Sequence, residues 1–495
     1  MSSTRFTVIR GGRLLDGEAA DILVAGDAIK EIGLPGLAAP EGAEAIDAAD
    51  MMLMPGLVNA HTHGDASLAK GLGDRLSLEL LLNASPLTSE RFRLEDKYLA
   101  AKLAAVEMVL SGCTACYDLF SEFPAPSPEG LAAVGQGYAD VGMRAVVAPL
   151  MADRSFWQAI PGLIGSLPDA LAAEVDRVTA EPAEASIAAC RRALKEWSID
   201  RDRVRLALAP TIPHHCEDSF FRACRELADE FGVGIHSHVA ESKVQAVVGM
   251  RKYGKTLTAH LDDLGILAPD FTAAHAVWVD DDDIRRLADQ GATVAHNPTS
   301  NLRLGVGIAR VRGMIDGGGL NVGIGTDAST CSDGLNMFEA MRLANTVSRI
   351  HSPDPADWLS AEQAIEMATR GSARGLGFDG LIGALAPGFK ADIVFLDLNR
   401  IQYLPLNHAV RQVVFQENGS GVKHVMIDGR LIVRNRRVLT VDYARLRDEV
   451  VCANDRLRLE NEDAARLVRQ LEPLVGQFCV GLAKEPYHVN RYVGA

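Results

Sequence analysis

The fold of this chain is decided by the stretch PGLVNAHTH, which runs from Pro55 to His63. Leu57 to Ala60 is a short apolar run that predicts a buried strand, and two histidines one residue apart follow it directly. Because residues i and i+2 of a strand point to the same side, His61 and His63 can direct two imidazoles at one point. Such a pair begins many divalent-metal sites, but it also occurs as an ordinary polar strand end.

Outward from this stretch, apolar segments alternate with helical ones. The eight predicted strands are Leu57–His63, Cys113–Leu119, Met143–Leu150, Val204–Thr211, Val233–Val239, Phe271–Val277, Ala292–Pro298 and Asn321–Ala328. Helical stretches such as residues 95–112 and 217–232 lie between them and close with glycine, a common helix stop. Eight alternating units predict an α/β fold of the (β/α)8 TIM-barrel type, in which the chemistry lies at the carboxyl ends of the strands.

The two ends of the chain have a different pattern. Residues 6–54 read as short strands joined by glycine turns, and strand character returns after Gly383, with a hairpin signal at Asp428–Gly429. We therefore expect a small β-sandwich domain formed by the N- and C-terminal segments. The predicted domains are residues 1–55 and 384–440 for the β domain, 56–383 for the barrel and 441–495 for a helical extension.

Composition limits the partners and the compartment. The net charge of −15 argues against nucleic acid or an anionic membrane, and no apolar run approaches the roughly 18 residues of a membrane span. The N-terminus lacks the apolar core of a signal peptide, and eight cysteines in 495 residues are not a disulfide framework. Cys113 and Cys116 form a lone CxxC that we interpret as structural. We expect a cytoplasmic protein with a small-molecule substrate, assembled as a homodimer or larger homo-oligomer.

Further histidines and an aspartate occur at the ends of later predicted strands. They are His236, His238 and Glu241 in HSHVAES, His275 in TAAHAVW, His296 and Asn297 in VAHNPTSN, and Asp327 in GIGTDAS. Any one of them could be a satisfied polar strand end. Because one barrel collects all of them at one rim, together they predict a metal-dependent hydrolytic site.

With these motifs the chain resembles the amidohydrolase superfamily, in particular its deaminases and chlorohydrolases of purine-like, pterin-like and triazine rings. The motifs, in order, are PGLVNAHTH, HVAE, AAHAV, HNPTSN and GTDAS, and the late segment PGFKADIVFLD extends the resemblance over nearly the whole chain. The resemblance implies that His61, His63, His238 and Asp327 bind one divalent metal ion, zinc or alternatively iron. The fourth predicted strand has no lysine, whereas two-metal relatives carry a carbamylated lysine there.

The resemblance also implies the catalytic roles. Metal-bound hydroxide would attack the ring, with Asp327 taking the proton of the water and Glu241 protonating a ring nitrogen. His275 would orient the attacking water. For Glu241 the alternative is a cap of the following helix. His236 is expected to pack in the core or to support the ligands.

The predicted substrate-facing segments depart from those of nucleoside deaminases in this branch. The departures are Lys70–Gly71 followed by LELLLN (Leu78–Asn83), Thr211 after Pro210, and the segment ASTCSDG from Ala328 to Gly334. The candidate substrate-binding residues are Lys70, Thr211, His214, His296, Arg303 and Cys331. The alternatives are solvated charges for Lys70 and Arg303, a loop hydrogen bond or a position next to a helix N-cap for His214, a supporting role for His296 and packing for Cys331.

Three classes of function are compatible with these patterns. The first is hydrolytic deamination of an aminated nitrogen heterocycle, which uses both Glu241 and Asp327. The second is hydrolysis of an amide or urea C–N bond, or of a ring C–Cl bond, at the same metal. The third is an inactive binding or scaffold protein on this fold, which the retention of every ligand and acid–base position disfavours.

Overall fold

The computed structural model describes residues 5–89, 91–332 and 334–492. In chain order the strands are β1 (Phe6–Arg13), β2 (Ala19–Ala25), β3 (Ala28–Gly33), β4 (Glu44–Asp47), β5 (Met51–Pro55), β6 (Leu57–His63), β7 (Cys113–Ser121), β8 (Arg144–Met151), β9 (Val204–Leu206), β10 (Ala209–Pro210), β11 (Ile235–Val239), β12 (Phe271–His275), β13 (Thr293–His296), β14 (Asn321–Ile324), β15 (Asp327–Ala328), β16 (Ile393–Asp397), β17 (Val422–Ile427), β18 (Arg430–Arg434) and β19 (Arg437–Val438).

The helices are α1 (Leu78–Ser89), α2 (Leu94–Leu110), α3 (Pro128–Val141), α4 (Phe156–Ala159), α5 (Asp169–Asp176), α6 (Ala183–Glu196), α7 (Asp218–Phe231), α8 (Lys243–Tyr253), α9 (Leu257–Asp263), α10 (Asp281–Asp289), α11 (Pro298–Arg303), α12 (Val311–Gly318), α13 (Met337–Ser348), α14 (Ala361–Glu366), α15 (Ser372–Gly375), α16 (Ala409–Phe415), α17 (Tyr443–Glu460) and α18 (Glu462–Ala483). A 3-10 turn, Gly64–Ala69, follows β6, and a π-helical turn, Met367–Gly371, joins α14 to α15.

Parallel strands form the barrel in two arcs, β10-β8-β7-β6-β15 and β11-β12-β13-β14, with β9 paired to β8. One seam between the arcs is closed by the bridge Leu208–Ile235, and at the other the Thr326 N–H donates to His61 O. The fourth barrel strand is divided into β9 and β10, and the eighth into β14 and β15. These strands confirm the predicted (β/α)8 barrel, and their carboxyl ends define one rim.

Strands from the two ends of the chain share one nine-stranded sheet. Its order is β19-β18-β17-β16-β5-β1-β2-β3, and β4 pairs with β1. The hairpin between β17 and β18 turns at Asp428 and Gly429, both at positive φ, as two-residue hairpins require. Arg144, buried at the start of β8, pairs with Asp428 of this hairpin. The barrel and the terminal sheet are thus joined through a buried ion pair.

The C-terminal helices α17 and α18 cover the barrel. Leu471, Val475 and Cys479 of α18 are buried in a cluster with Val244 and Val248 of α8. The same helix packs along α1, so α1 is held between α18 and the barrel rim. None of the helices in the described ranges combines the length and apolarity that a membrane span requires.

Candidate metal centre and its cavity

Five of the residues singled out by the sequence lie at the carboxyl rim of the barrel. His61 and His63 end β6, His238 lies near the end of β11, His275 ends β12 and Asp327 begins β15. The parallel pairing of β15 with β6 places Asp327 opposite Thr62, between the two histidines. The rim therefore brings together side chains that are up to 266 positions apart in the chain (61 to 327).

Their ligand atoms converge on one point. The Nε2 atom of His63 lies 3.3 Å from Nε2 of His238 and 3.4 Å from Oδ1 of Asp327. The Nε2 atom of His61 is 3.7 Å from Asp327 Oδ1, and that of His275 is 3.7 Å from Asp327 Oδ2. His61, His63 and His238 form one group of ligand atoms within 4.8 Å of one another, and His61, His275 and Asp327 form a second. A single ion between the side chains could contact both groups.

Hydrogen bonds at Nδ1 fix how each imidazole is turned. The Nδ1 contacts are Leu119 O for His63 (2.6 Å), Thr211 O for His238 (2.8 Å), His236 Nε2 for His61 (3.2 Å) and Asn301 Oδ1 for His275 (2.8 Å). With Nδ1 engaged, each ring presents Nε2 to the centre. Metal-ligating histidines are oriented in this way by their second nitrogen.

The charge states of these side chains fit a divalent cation. Burial lowers the pKa of His61 to about 3, and burial together with the neighbouring imidazoles lowers the pKa of His238 well below its usual range. Burial raises the pKa of Asp327, but His61, His275 and His63 outweigh it and bring the net pKa well below the ordinary value. Nε2 of His61 and Nε2 of His275 are buried with no hydrogen-bond partner in the part of the chain that the structure describes. Neutral imidazoles with an ionised carboxylate are a donor set that divalent transition metals take.

Glu241 lies beside this centre with its carboxyl group in the cavity. It is 2% exposed, and its Oε1 is 3.6 Å from Nδ1 of His275. Burial raises its pKa well above the ordinary value, and Asp327 adds to the effect. The following helix α8 is capped by Ser242, whose Oγ accepts from the Gln245 N–H at 3.2 Å. The alternative prediction, in which Glu241 caps this helix, is therefore wrong, because Ser242 is the cap.

A cavity of about 100 Å³ opens above the metal centre. His63, His238, Glu241, His275 and Asp327 line it on the side of the metal centre. Its walls are mainly aliphatic, with Leu78, Leu81, Leu82, Leu150, Ile212 and Leu304. Leu78, Leu81 and Leu82 of α1 belong to the segment LELLLN, which was predicted to face the substrate. A second cavity shares Leu82, Ser85, Ser121, Leu150 and Thr211 with the first, so the space continues away from the metal centre.

Of the six residues proposed to bind substrate, the structure places Thr211 on this cavity. The other five lie outside the lining that the described residues form. Lys70 pairs with Glu107 and the Arg303 guanidinium donates to Gly73 O, both at the surface. His214 and His296 are buried, and burial lowers the pKa of His296 to about 3. Cys331 is buried against Ser300, 3.4 Å from its Oγ.

Sequence reasoning missed several residues that support the centre. Ser300 Oγ donates to Asp327 Oδ2 at 2.6 Å, and Asn301 contacts His275. Both belong to the motif HNPTSN, from which only His296 and Asn297 were singled out, so the motif itself was the signal. Asp65 lines the cavity two residues after His63 and was also missed.

The fold and the site together define a metal-dependent hydrolase built on a (β/α)8 barrel. A sequence model of the amidohydrolase family matches residues 52–432. The chain is 31% identical over 451 residues to a 5'-deoxyadenosine deaminase of Methanosarcina mazei, covering 90% of this chain and 96% of the relative. The chain belongs to the amidohydrolase family, which confirms the resemblance drawn from the motifs.

Solved structures agree with this placement. A zinc-bound adenosine deaminase from Xanthomonas campestris superposes with a TM-score of 0.80 at 27% identity, covering 92% of this chain and 98% of the other. An atrazine chlorohydrolase from Arthrobacter aurescens, crystallised with zinc, superposes with a TM-score of 0.80 at 26% identity, covering 90% and 100%. The chain is thus similar both to deaminases and to a chlorohydrolase, the branch that its motifs indicate.

Proposed function

We propose that the protein is a metal-dependent deaminase of an aminated nitrogen heterocycle of the purine, pterin or triazine type. The observation that carries the proposal is the buried carboxyl group of Glu241, which lies in the cavity beside His275 and has no capping role. A deaminase needs a group that gives a proton to the ring and a group that takes one from water. Glu241 and Asp327 supply the two. The deaminases among the relatives support the same reaction.

We assign His61, His63, His238 and Asp327 as the ligands of one divalent ion, zinc in the first instance and iron as the alternative. When bound, the ion would act as a Lewis acid that lowers the pKa of the attacking water. The zinc in two similar structures supports this metal. The absence of lysine from β9 and β10 supports a single ion.

The remaining steps belong to the side chains. Asp327, ionised and held by Ser300, is placed to take a proton from the attacking water. Glu241, whose pKa burial raises well above the ordinary value, is placed to donate a proton to the ring nitrogen next to the reacting carbon. His275, turned by Asn301, faces the same point and can hydrogen-bond the attacking water. The aliphatic walls exclude bulk water and hold a flat ring.

A second candidate is displacement of chloride from a ring carbon, which the similarity to an atrazine chlorohydrolase favours. Glu241 would protonate the ring nitrogen in either reaction, since only the leaving group differs. Hydrolysis of an amide or urea C–N bond at the same centre stays open as the third reaction of this kind.

The test is a turnover assay on zinc-loaded protein with aminopurines, aminopterins, aminotriazines, chlorotriazines and aryl amides. Ammonia release from an amino-heterocycle is the expected result. Chloride or amine release without ammonia release would replace deamination by the corresponding alternative. Parallel assays of iron-loaded protein, prepared without oxygen, decide the metal.

We further propose that the protein is a cytoplasmic homo-oligomer whose terminal segments, residues 1–55 and 384–440, form one β domain beside a barrel of residues 56–383 and a helical extension of residues 441–495. Eight free cysteines, seven of them buried, support a reducing compartment. Exposed Tyr443, Val451 and Leu459 on α17 support a subunit contact there. Light scattering of the purified protein tests the oligomer, and a monomer would contradict it.

A further inference from the structure

Asp65 is a carboxylate on the active-site cavity for which the proposed reaction has no use. It lies in the 3-10 turn Gly64–Ala69, two residues after His63, and lines the cavity together with Leu78 and Leu81 of α1. It is not part of either group of candidate metal ligands. Its position at the wall, rather than at the metal centre, points to a role in substrate recognition.

The turn that carries Asp65 is held rigidly. The Gly64 N–H donates to Asp118 Oδ1 at 2.7 Å, and the Tyr138 hydroxyl donates to Asp118 Oδ2 at 2.8 Å. A Cβ atom at position 64 would lie 2.6 Å from Asp118 Oδ2, so only glycine fits there. The backbone N–H of Ser121 hydrogen-bonds the Asp65 carboxyl group from the neighbouring strand. Asp65 is therefore positioned in advance of binding, as recognition groups are.

One oxygen of this carboxyl group lacks a partner. Asp65 Oδ1 is buried, and no donor among the described residues reaches it. No lysine or arginine of the described ranges lines the cavity. Buried polar atoms in proteins are almost always paired, because an unpaired one costs the full loss of hydration. A donor brought by the substrate would remove that cost.

Asp65 and Glu241 both line the cavity, and they follow strands on opposite sides of the barrel. Asp65 follows β6, the first strand of the barrel, and Glu241 follows β11, the fifth. In an eight-stranded barrel these strands face each other. A flat ring whose reacting edge meets Glu241 therefore turns its far edge toward Asp65.

Building on the proposed deaminase function, we propose that Asp65 is a specificity-determining residue that accepts a hydrogen bond from an N–H group on the edge of the substrate ring away from the reacting carbon. The substrate class that follows is an aminated heterocycle with a second donor, either another amino group or a ring N–H. Rings whose far edge carries an alkyl group in that place are poor substrates. The aliphatic walls hold the faces of the ring, and Asp65 sets its orientation.

The test uses ring pairs in which a methyl group replaces one amino group at nearly the same size. One pair is 2,6-diaminopurine and 2-methyl-6-aminopurine, and the other is 2,4-diamino-6-methyltriazine and 2-amino-4,6-dimethyltriazine. In zinc-loaded protein we expect kcat/KM for ammonia release to favour the donor-bearing ring about tenfold in one of the pairs, as for loss of one hydrogen bond. Asp65→Leu, which keeps the branched shape without an acceptor, should abolish this preference. Asp74→Leu, at an exposed aspartate of the same loop, is the matched control and should leave it unchanged.

A binding measurement separates this inference from the reaction. Calorimetry of the same ring pairs with zinc-loaded Glu241→Gln protein should show the same preference, and Asp65→Leu added to that variant should remove it. If no ring is turned over but this pattern of binding holds, deamination is wrong and the role of Asp65 stands. If rings are deaminated with a preference that Asp65→Leu does not change, or if neither of the two pairs shows preferential binding of its donor-bearing ring, the role of Asp65 is overturned. Loss of zinc from Asp65→Leu would also overturn it, because Asp65 would then support His63 instead.

Discussion

At the scale of single residues, the site depends on residues whose backbone is held in costly conformations. His275 and Asp327 have φ angles of 68° and 62°, and Ala240 and Ala276 beside them are also left-handed. Non-glycine residues in this region carry about 1–3 kcal/mol of strain each, and such residues cluster at functional sites. Here the strain turns the ends of β11, β12 and β15 so that their side chains face one point. Packing around the rim must offset it.

Glu241→Gln should retain the metal and lose turnover. The carboxamide keeps the shape of Glu241 but cannot transfer a proton, so we expect kcat to fall at least about 100-fold. Elemental analysis and steady-state kinetics measure the two properties. Ser242→Ala is the matched control, because it removes the true cap of α8 and should cost about 1 kcal/mol of stability with little change in kcat. Near-normal kcat in metal-loaded Glu241→Gln would refute the catalytic assignment.

Asn301→Ala should lower kcat about 10- to 100-fold, the usual effect of losing a residue that orients a ligand or catalytic histidine. The Asn301 side chain contacts Nδ1 of His275 at 2.8 Å and fixes which way the ring faces. A zinc content close to that of the wild type, measured on the same sample, is expected because His61, His63 and His238 are untouched. An unchanged kcat would show that packing alone orients His275.

At the scale of secondary-structure elements, the eighth barrel strand is divided so that Asp327 can reach the centre. Between β14 and β15, Gly325 passes where a Cβ atom would lie 2.2 Å from Asn297 Oδ1 and 2.8 Å from the Cβ of His61. The Gly325 N–H also donates to His296 O. Asn297, which the sequence pattern indicated as a site residue, thus packs against the backbone at Gly325. The close approach of three strand ends is what brings His61 and Asp327 together.

Gly325→Ala should therefore weaken metal binding and lower the melting temperature. The added methyl group has to displace Asn297 or the backbone of His61, and overpacking of this kind typically costs about 1–3 kcal/mol. Calorimetric unfolding and zinc titration measure the two effects. Gly317→Ala provides the control, since nothing lies within 4 Å of a Cβ atom there and alanine is the better helix former in α12. Wild-type zinc affinity in Gly325→Ala would show that the close packing of Gly325 against Asn297 and His61 is not needed for metal binding.

At the scale of the whole molecule, Arg491 and Tyr492, near the C-terminus, hold the segment that follows His275. The Arg491 guanidinium is 7% exposed and donates to the carbonyl oxygens of Val277 and Val279, and burial lowers its pKa. Its own carbonyl accepts from the Ile308 N–H at 3.0 Å. Trp278 packs against Tyr492, with ring centroids 5.0 Å apart. The C-terminal tail thus ties together the segments that follow the sixth and seventh strands of the barrel.

Arg491→Met should destabilise the protein by about 1–3 kcal/mol, because buried carbonyl groups lose their donors. We also expect a lower kcat, since the tail holds the segment next to His275. Thermal unfolding and kinetics on one preparation measure both. Arg447→Met is the control, because Arg447 and Asp448 form an exposed pair that contributes little. Equal melting temperatures for Arg491→Met and the wild type would contradict the role of the tail.

The sequence by itself determined the barrel fold and which histidine and carboxyl side chains lie at its carboxyl rim. Strand periodicity placed His61 and His63 on one face, and the alternation of strands and helices placed Glu241, His275 and Asp327 at the same rim, because parallel strands end on one side. These are local patterns that the order of residues carries directly. The strands at the two ends of the chain were also predictable from the sequence, including the hairpin turn at Asp428.

Only the tertiary structure decided which residues line the cavity. Leu78 and Leu81 reach the cavity because α18 presses α1 against the rim, and Asp65 faces it because Asp118 and Tyr138 hold its turn. These positions arise from contacts between segments that are far apart in the chain. Hydrophobic periodicity describes only local structure and does not predict such contacts. Lys70, by contrast, pairs with Glu107 and lies outside the cavity lining that the described residues form. Local motifs therefore identify the candidate metal ligands, whereas the shape and lining of the substrate cavity depend on how distant segments pack.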